Sequence, residues 1–182
     1  MARTKKNQVQ ELRFDEKLVL FKFMQRELGI TDMKLLARQM NLPEEEGINE
    51  STGNTLFIEY FFKQPGCRIP ETKLRVYDEN IRRYTQKIGE NRGGLTWKYF
   101  QYLSLLFTEI YLDRWFSDKE SFQQELTDFL HDEDDRTLGQ IGFQDFDLAK
   151  MNKLAYMSAT GSGKTLILHV NILQFSYYLK RA

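Results

Sequence analysis

Net charge is absent from this chain: 26 Lys and Arg offset 26 Asp and Glu over 182 residues. Without a basic excess, composition supplies no electrostatic case for nucleic-acid binding. Cysteine occurs once, at Cys67, which excludes an internal disulfide and fits a reducing cytoplasmic setting. Cys67 stands in a turn between Gly66 and Arg68, where a basic neighbour favours the thiolate, but no histidine lies near it in sequence to make a nucleophile. His131 and His169 are the two histidines, isolated from each other and from cysteine, so no zinc-ligand spacing exists. No apolar run approaches a membrane span, and residues 1–10 lack the apolar centre of a signal peptide. The expectation is a soluble cytoplasmic chain with no membrane partner. Aromatics are in surplus instead, with 14 Phe and 9 Tyr, enough to build a sizeable core.

Local patterns predict a mainly α chain. Residues 1–13 are polar and basic and read as a flexible start. Apolar positions at helical spacing predict a helix over 14–28, closed by Gly29, and a second begun by Thr31 and ending before Pro43. Residues 43–54 read as a loop, and 55–62 (TLFIEYFF) suit either a strand or a helix. Asp78 is a candidate cap for a helix through Ile81, Tyr84 and Ile88. Residues 95–116 are apolar on more than one face, with Trp97, Leu103, Phe107, Ile110 and Tyr111 on one stripe; this is the expected central helix. Ser117 and Glu120 match a capping box for a further helix with Phe122, Leu126, Phe129 and Leu130 inward. The acidic run 132–135 reads as its end and as a linker. The aromatic stripe lacks interleaved Lys and Arg, so it reads as core rather than a base-stacking platform. Glu109, Asp113, Asp132, Asp134 and Asp135 are spaced as a solvated face and a linker rather than a metal cluster.

One stretch carries chemistry. Residues 158–165 read Ser-Ala-Thr-Gly-Ser-Gly-Lys-Thr, after a short apolar segment (154–157) and before a long apolar run. Strand, glycine turn and helix in that order make a phosphate-binding loop. The glycines let successive amides converge, and the helix dipole adds positive potential. Thr160, Gly161, Ser162, Gly163, Lys164 and Thr165 are the candidate nucleotide contacts, with Lys164 on the β/γ-phosphates and the Thr165 hydroxyl as the Mg²⁺ ligand. ATP and Mg²⁺ are therefore the expected cofactors. The helix over 164–179 is apolar nearly all round, so it expects a sheet; alone it packs on the N-terminal helices, self-associates or stays disordered, and the last two are the expected outcomes, with 150–182 the least native part of the structure.

The loop begins with Ser158 where a fuller Walker A pattern has glycine, and in that form it resembles motif I of the superfamily-2 helicases and translocases. Taken with YDENIRRYTQKI (77–88), LTWKYFQYLSLLFTEIYLDRWF (95–116) and the run 146–175, the chain resembles the N-terminal portion of the type III restriction-enzyme-like members of that superfamily. The resemblance implies ATP-driven translocation on, or unwinding of, DNA in restriction or phage defence, with a possible modification or defence partner subunit. It implies a helical domain over 14–135 and, over 136–182, the first strand–P-loop–helix of an α/β RecA-like ATPase domain. Gln144 stands where such enzymes often read adenine, although its flanks do not match. No D-E-x-H-type motif, sensor motif or arginine finger follows Lys164, so no catalytic set is complete and the expectation is a truncated motor that does not turn over ATP by itself. Two other readings stay open: a helical partner-binding module with a vestigial P-loop, and another class of P-loop NTPase.

Overall fold

The computed structural model describes residues 12–42, 44, 46–90, 92–137, 139 and 141–182; most of the expected flexible start, 1–11, lies outside them, as do Pro43 and Glu45 of the 43–54 loop. Among the described residues the chain is mainly α, with seven α-helices and no strand. The expected helix over 14–28 divides into a 3-10 turn at Phe14–Lys17 and α1 (Val19–Glu27), separated at Leu18. α2 (Met33–Met40) is capped by Asp32 rather than Thr31, its carboxylate accepting from the amides of Lys34 and Leu35. The ambiguous 55–62 segment is a helix, α3 (Leu56–Phe62), because the Thr55 hydroxyl caps it by accepting from the Ile58 amide. α4 (Glu71–Gly89) starts after Pro70, so Asp78 sits inside it and is no cap. α5 (Tyr99–Ser117) and α6 (Lys119–Arg136) follow, with Asp118 rather than Ser117 capping α6. The acidic run 132–135 is the last stretch of α6 and not a linker. α7 (Lys164–Leu179) keeps the bounds its apolar run predicts.

α5 is the centre. Leu105, Leu106 and Ile110 are fully buried, and Trp97, Leu103, Phe107 and Tyr111 are buried as their stripe predicts. α1 lies over α6, where Phe23 sits 6.0 Å from Phe122 and 5.6 Å from Phe129, ring centre to ring centre. Each such aromatic contact adds roughly 0.5–1.5 kcal/mol beyond the area it buries. Asp78, fully buried in α4, accepts from the Tyr102 hydroxyl (2.5 Å), the Thr55 hydroxyl (2.5 Å) and amide (3.1 Å), and Arg82 Nε (3.0 Å). Three helices thus meet on one carboxylate. A buried charge is tolerated only with such a full set of donors.

The segment 154–157 does not form the expected strand. A strand is defined by its ladder, and nothing among the described residues pairs with it. It runs instead along α5, where the Tyr156 hydroxyl lies 2.6 Å from Thr108 Oγ1. α7 does not stay disordered as expected but packs on α5 and α4, whose apolar surfaces cover its buried face. Val170 and Gln174 are fully buried there, Gln174 Nε2 donating 2.9 Å to the Leu105 carbonyl. The Tyr178 hydroxyl donates 2.8 Å to Glu109, which also accepts from Asn80 Nδ2 at 3.0 Å.

Burial pushes the Glu109 carboxyl up to about 7, against the pull of those two donors. Because the folded value exceeds the ordinary 4.5, the fold binds a proton that the unfolded chain releases. The resulting stability is fully present below about pH 4.5 and is lost as pH rises through 7. The full span amounts to on the order of 3 kcal/mol. Glu109→Gln keeps the shape and removes the proton, so its melting temperature should fall less than the wild type's between pH 4.5 and 7. Parallel pH–melting curves for the two chains would remove Glu109 as the source of this dependence.

Candidate functional site

The loop is built from backbone permissiveness first. Gly161 and Gly163 have φ of 79° and 83°, in the left-handed region that residues with a Cβ enter at a cost of roughly 1–2 kcal/mol. Gly163 is the N-cap of α7, and its carbonyl accepts the first helical bonds, from Leu166 at 2.9 Å and Ile167 at 3.1 Å. Among the described residues nothing accepts from the amides of Gly161, Gly163, Lys164 and Thr165, whereas Ser162's donates to the Ala159 carbonyl at 3.3 Å. Four such amides stand at one helix start, where the positive end of the helix dipole adds to their pull on an anion. Lys164 Nζ reaches back across the loop and donates to the Ser158 carbonyl at 3.2 Å. Lys164, Thr165, Gly161 and Thr160 are exposed.

These groups fit an ATP phosphate chain: neutral donors, one lysine, no carboxylate among the loop residues. Thr165 offers its hydroxyl in the first turn of α7, the position of a single Mg²⁺ ligand beside phosphate oxygens. Among the described residues no three His, Cys, Asp or Glu side chains gather into a metal site. The acidic residues that lie in the core or at its edge are engaged elsewhere: Asp113 accepts from Lys73 and Tyr77, and Glu109 from Asn80 and Tyr178. His131 contacts Asp145 at 2.9 Å. Burial pushes the Cys67 thiol up, so the adjacent Arg68 does not yield a reactive thiolate. Gln144 is exposed, and its neighbour Phe143 lines a cleft of about 810 Å³ together with residues 154–159, Tyr99 and Phe107.

One residue at the site escapes motif reading. Gln101, in the first turn of α5, is held by the Lys98 amide, which donates 2.9 Å to its Oε1. Its Nε2 donates 2.8 Å to the carbonyl of Ser162. A Cβ on Gly163 would stand 2.5 Å from that same nitrogen. The helical layer therefore grips the loop by its backbone, and Gly163 is required by its φ, while a Cβ there would also displace the Gln101 amide from the Ser162 carbonyl. No one-dimensional signal marks Gln101, since it lies far from the motif in sequence.

Comparison of the chain with protein-family models, curated proteins and solved structures finds no match. Gly163→Ala should loosen the start of α7 by about 1–2 kcal/mol for the left-handed backbone, with a further steric part. Gln101→Ala in the same chain should recover the steric part alone. Hydrogen exchange at the amides of 164–168 reads both effects, and strict additivity of the two substitutions would show that the side chains do not meet.

Proposed function

We propose that this chain binds ATP–Mg²⁺ through residues 160–165 as motif I of a superfamily-2, type III restriction-like DNA motor. The observation that carries the reading is the set of four free amides at Gly161, Gly163, Lys164 and Thr165, with Lys164 folded over the same loop. Lys164 leaves the Ser158 carbonyl for the phosphates on binding, so the ammonium keeps a partner in both states. The Thr165 hydroxyl takes one Mg²⁺ position, and the α7 dipole opposes the anion's charge. Residues 154–157 take the place of the first strand of a RecA-like unit in this reading: their burial alternates with a period of two, although among the described residues no strand pairs with them. DNA, and a modification or defence subunit, belong to the motor as a whole in this reading. Residues 160–165 grip the nucleotide, while water activation needs a carboxylate they do not supply.

The partner-binding alternative draws support from one observation: Leu168, Ile172, Phe175 and Leu179 leave an apolar face of α7 exposed. Titration calorimetry with Mg-ATP separates the readings. Lys164→Ala should weaken binding by about tenfold or more, because a hydrogen bond to a charged group contributes roughly 1.5–3 kcal/mol. Ser158→Ala should change little. Equal affinity of Lys164→Ala and wild type for Mg-ATP removes the nucleotide reading. Steady ATP hydrolysis by this chain, abolished by Lys164→Ala, would remove the claim that it only binds.

A further inference from the structure

Polar side chains from three helices close on one another inside the protein: Asn80 of α4, Glu109 of α5, and Gln174 and Tyr178 of α7. All are buried, Glu109 and Gln174 completely. Asn80 Nδ2 (3.0 Å) and the Tyr178 hydroxyl (2.8 Å) both donate to Glu109 Oε2. Gln174 Nε2 donates to the Leu105 carbonyl at 2.9 Å, and its side chain also faces the Glu109 carboxyl. Two oxygens are then left over. Glu109 Oε1 and Gln174 Oε1 are buried and have no donor among the described residues. With the carboxyl ionised both are acceptors, so neither can satisfy the other. A proton on Glu109 makes one of them a donor and the other its acceptor, and both deficits close together.

We propose that Glu109 and Gln174 share a proton across the contact of α5 with α7, and that loss of this proton releases α7 from the helical layer. The groups around the pair leave the ionised form unsupported. From α4, Arg83 faces the carboxyl, but it is exposed and donates to Asn80 Oδ1 at 2.8 Å instead. Tyr77 and Tyr84 of α4 and Tyr178 of α7 are neutral, since burial pushes each hydroxyl up. α5 itself adds Asp113, a like charge that accepts from Lys73 and Tyr77. A buried carboxylate without an opposite charge is costly, and burial holds Glu109 at about 7.

The element that yields is α7. α4 keeps its place through Asp78, which binds Tyr102 and Thr55, and through Trp97 Nε1 on Thr85 at 2.6 Å. Beyond the cluster, α7 meets α5 by one long hydrogen bond among the described residues, Asn171 Oδ1 at 3.4 Å from the Thr108 hydroxyl. Opening α7 returns Glu109 and Gln174 to water, where the carboxyl ionises at its ordinary 4.5. The docked value is the higher one, so docking is favoured fully below that pH and the advantage is lost as pH rises through 7.

Hydrogen exchange without nucleotide tests this, with the amides of 168–178 read against those of 122–130 in α6 and both corrected for the intrinsic pH dependence of exchange. From about pH 5 to 8, opening of α7 should rise at least about tenfold relative to α6. Glu109→Gln keeps a donor for Gln174 Oε1 and an acceptor for Asn80 and Tyr178, so its α7 protection should be flat over the same range. Infrared difference spectra report the proton itself. A carboxylic-acid carbonyl band should be present at about pH 6, absent in Glu109→Gln, and displaced in Gln174→Met, where the O–H loses its acceptor. Wild-type α7 protection that tracks α6 at every pH overturns the proposal, and so does a wild-type chain without the band. These two readings need no variant to fold. A band that keeps its position in folded Gln174→Met overturns the shared proton. Because no nucleotide is present, the outcome is independent of the ATP titration.

Discussion

Burying α5 on nearly every side forces its few polar side chains to find partners inside the protein, and those partners locate everything around it. Water is excluded from Glu109, Thr108 and the Tyr102 hydroxyl, and a buried polar group without a partner costs roughly 1–3 kcal/mol. Tyr102 resolves this by donating to Asp78 of α4, which the Thr55 hydroxyl and amide bind as well. Glu109 does so in part, its Oε2 accepting from Asn80 of α4 and Tyr178 of α7 while its Oε1 has no partner among the described residues. The apolar contacts supply most of the driving force, but they are tolerant of sliding. The polar ones are not, and they fix the register of α3, α4 and α7 on one helix.

The same helix reaches the candidate site. Gln101, Leu105, Thr108 and Glu109 fall on one face of α5, and each meets α7, its loop or the segment before it. The loop is therefore held from behind by a helix rather than by the sheet its motif implies. Its glycines supply the curvature and Gln101 supplies the position. A phosphate-binding loop needs its amides oriented before the anion arrives, since ordering them on binding would subtract from affinity. Here that order comes from the helical layer.

Mutually consistent local signals made part of this legible. The bounds of α7 follow from an apolar run that starts at Lys164 after two glycines and ends before Lys180. The inward residues of α5 and α6 follow from helical spacing. Caps were less legible, because Thr31 and Asp32, or Ser117 and Asp118, are adjacent residues with equal chemical claims. Asp78 misled for a physical reason: an aspartate ahead of apolar residues at helical spacing favours a helix start when it meets water, but here three helices converge to supply its donors. The 132–135 run reads as a linker by charge alone, yet Lys22 pairs with Glu133 at 3.0 Å and Asp134 accepts from the Ile141 and Gly142 amides, which hold it helical. Gln101 was invisible because its role is a contact between residues 61 positions apart.

The absence of a strand at 154–157 follows from the difference between the two secondary structures. A helix closes its own hydrogen bonds, so the sequence of α7 suffices once a surface is there to cover its buried face. A strand borrows its bonds from a neighbour, and a segment with every local preference for extension still counts as irregular until another backbone lies within about 5 Å. Residues 154–159 show this state directly: the side chains already alternate inward and outward, Tyr156 is already anchored on Thr108, and only the ladder is missing. Sequence patterning therefore specified the side-chain half of a strand, and the backbone half waits on a second chain segment. The loop that follows does not wait, because Gln101 and Lys164 secure it through bonds that owe nothing to the ladder. The order of the loop and the pairing of the segment before it are thus separable in this fold, although the motif places them next to each other.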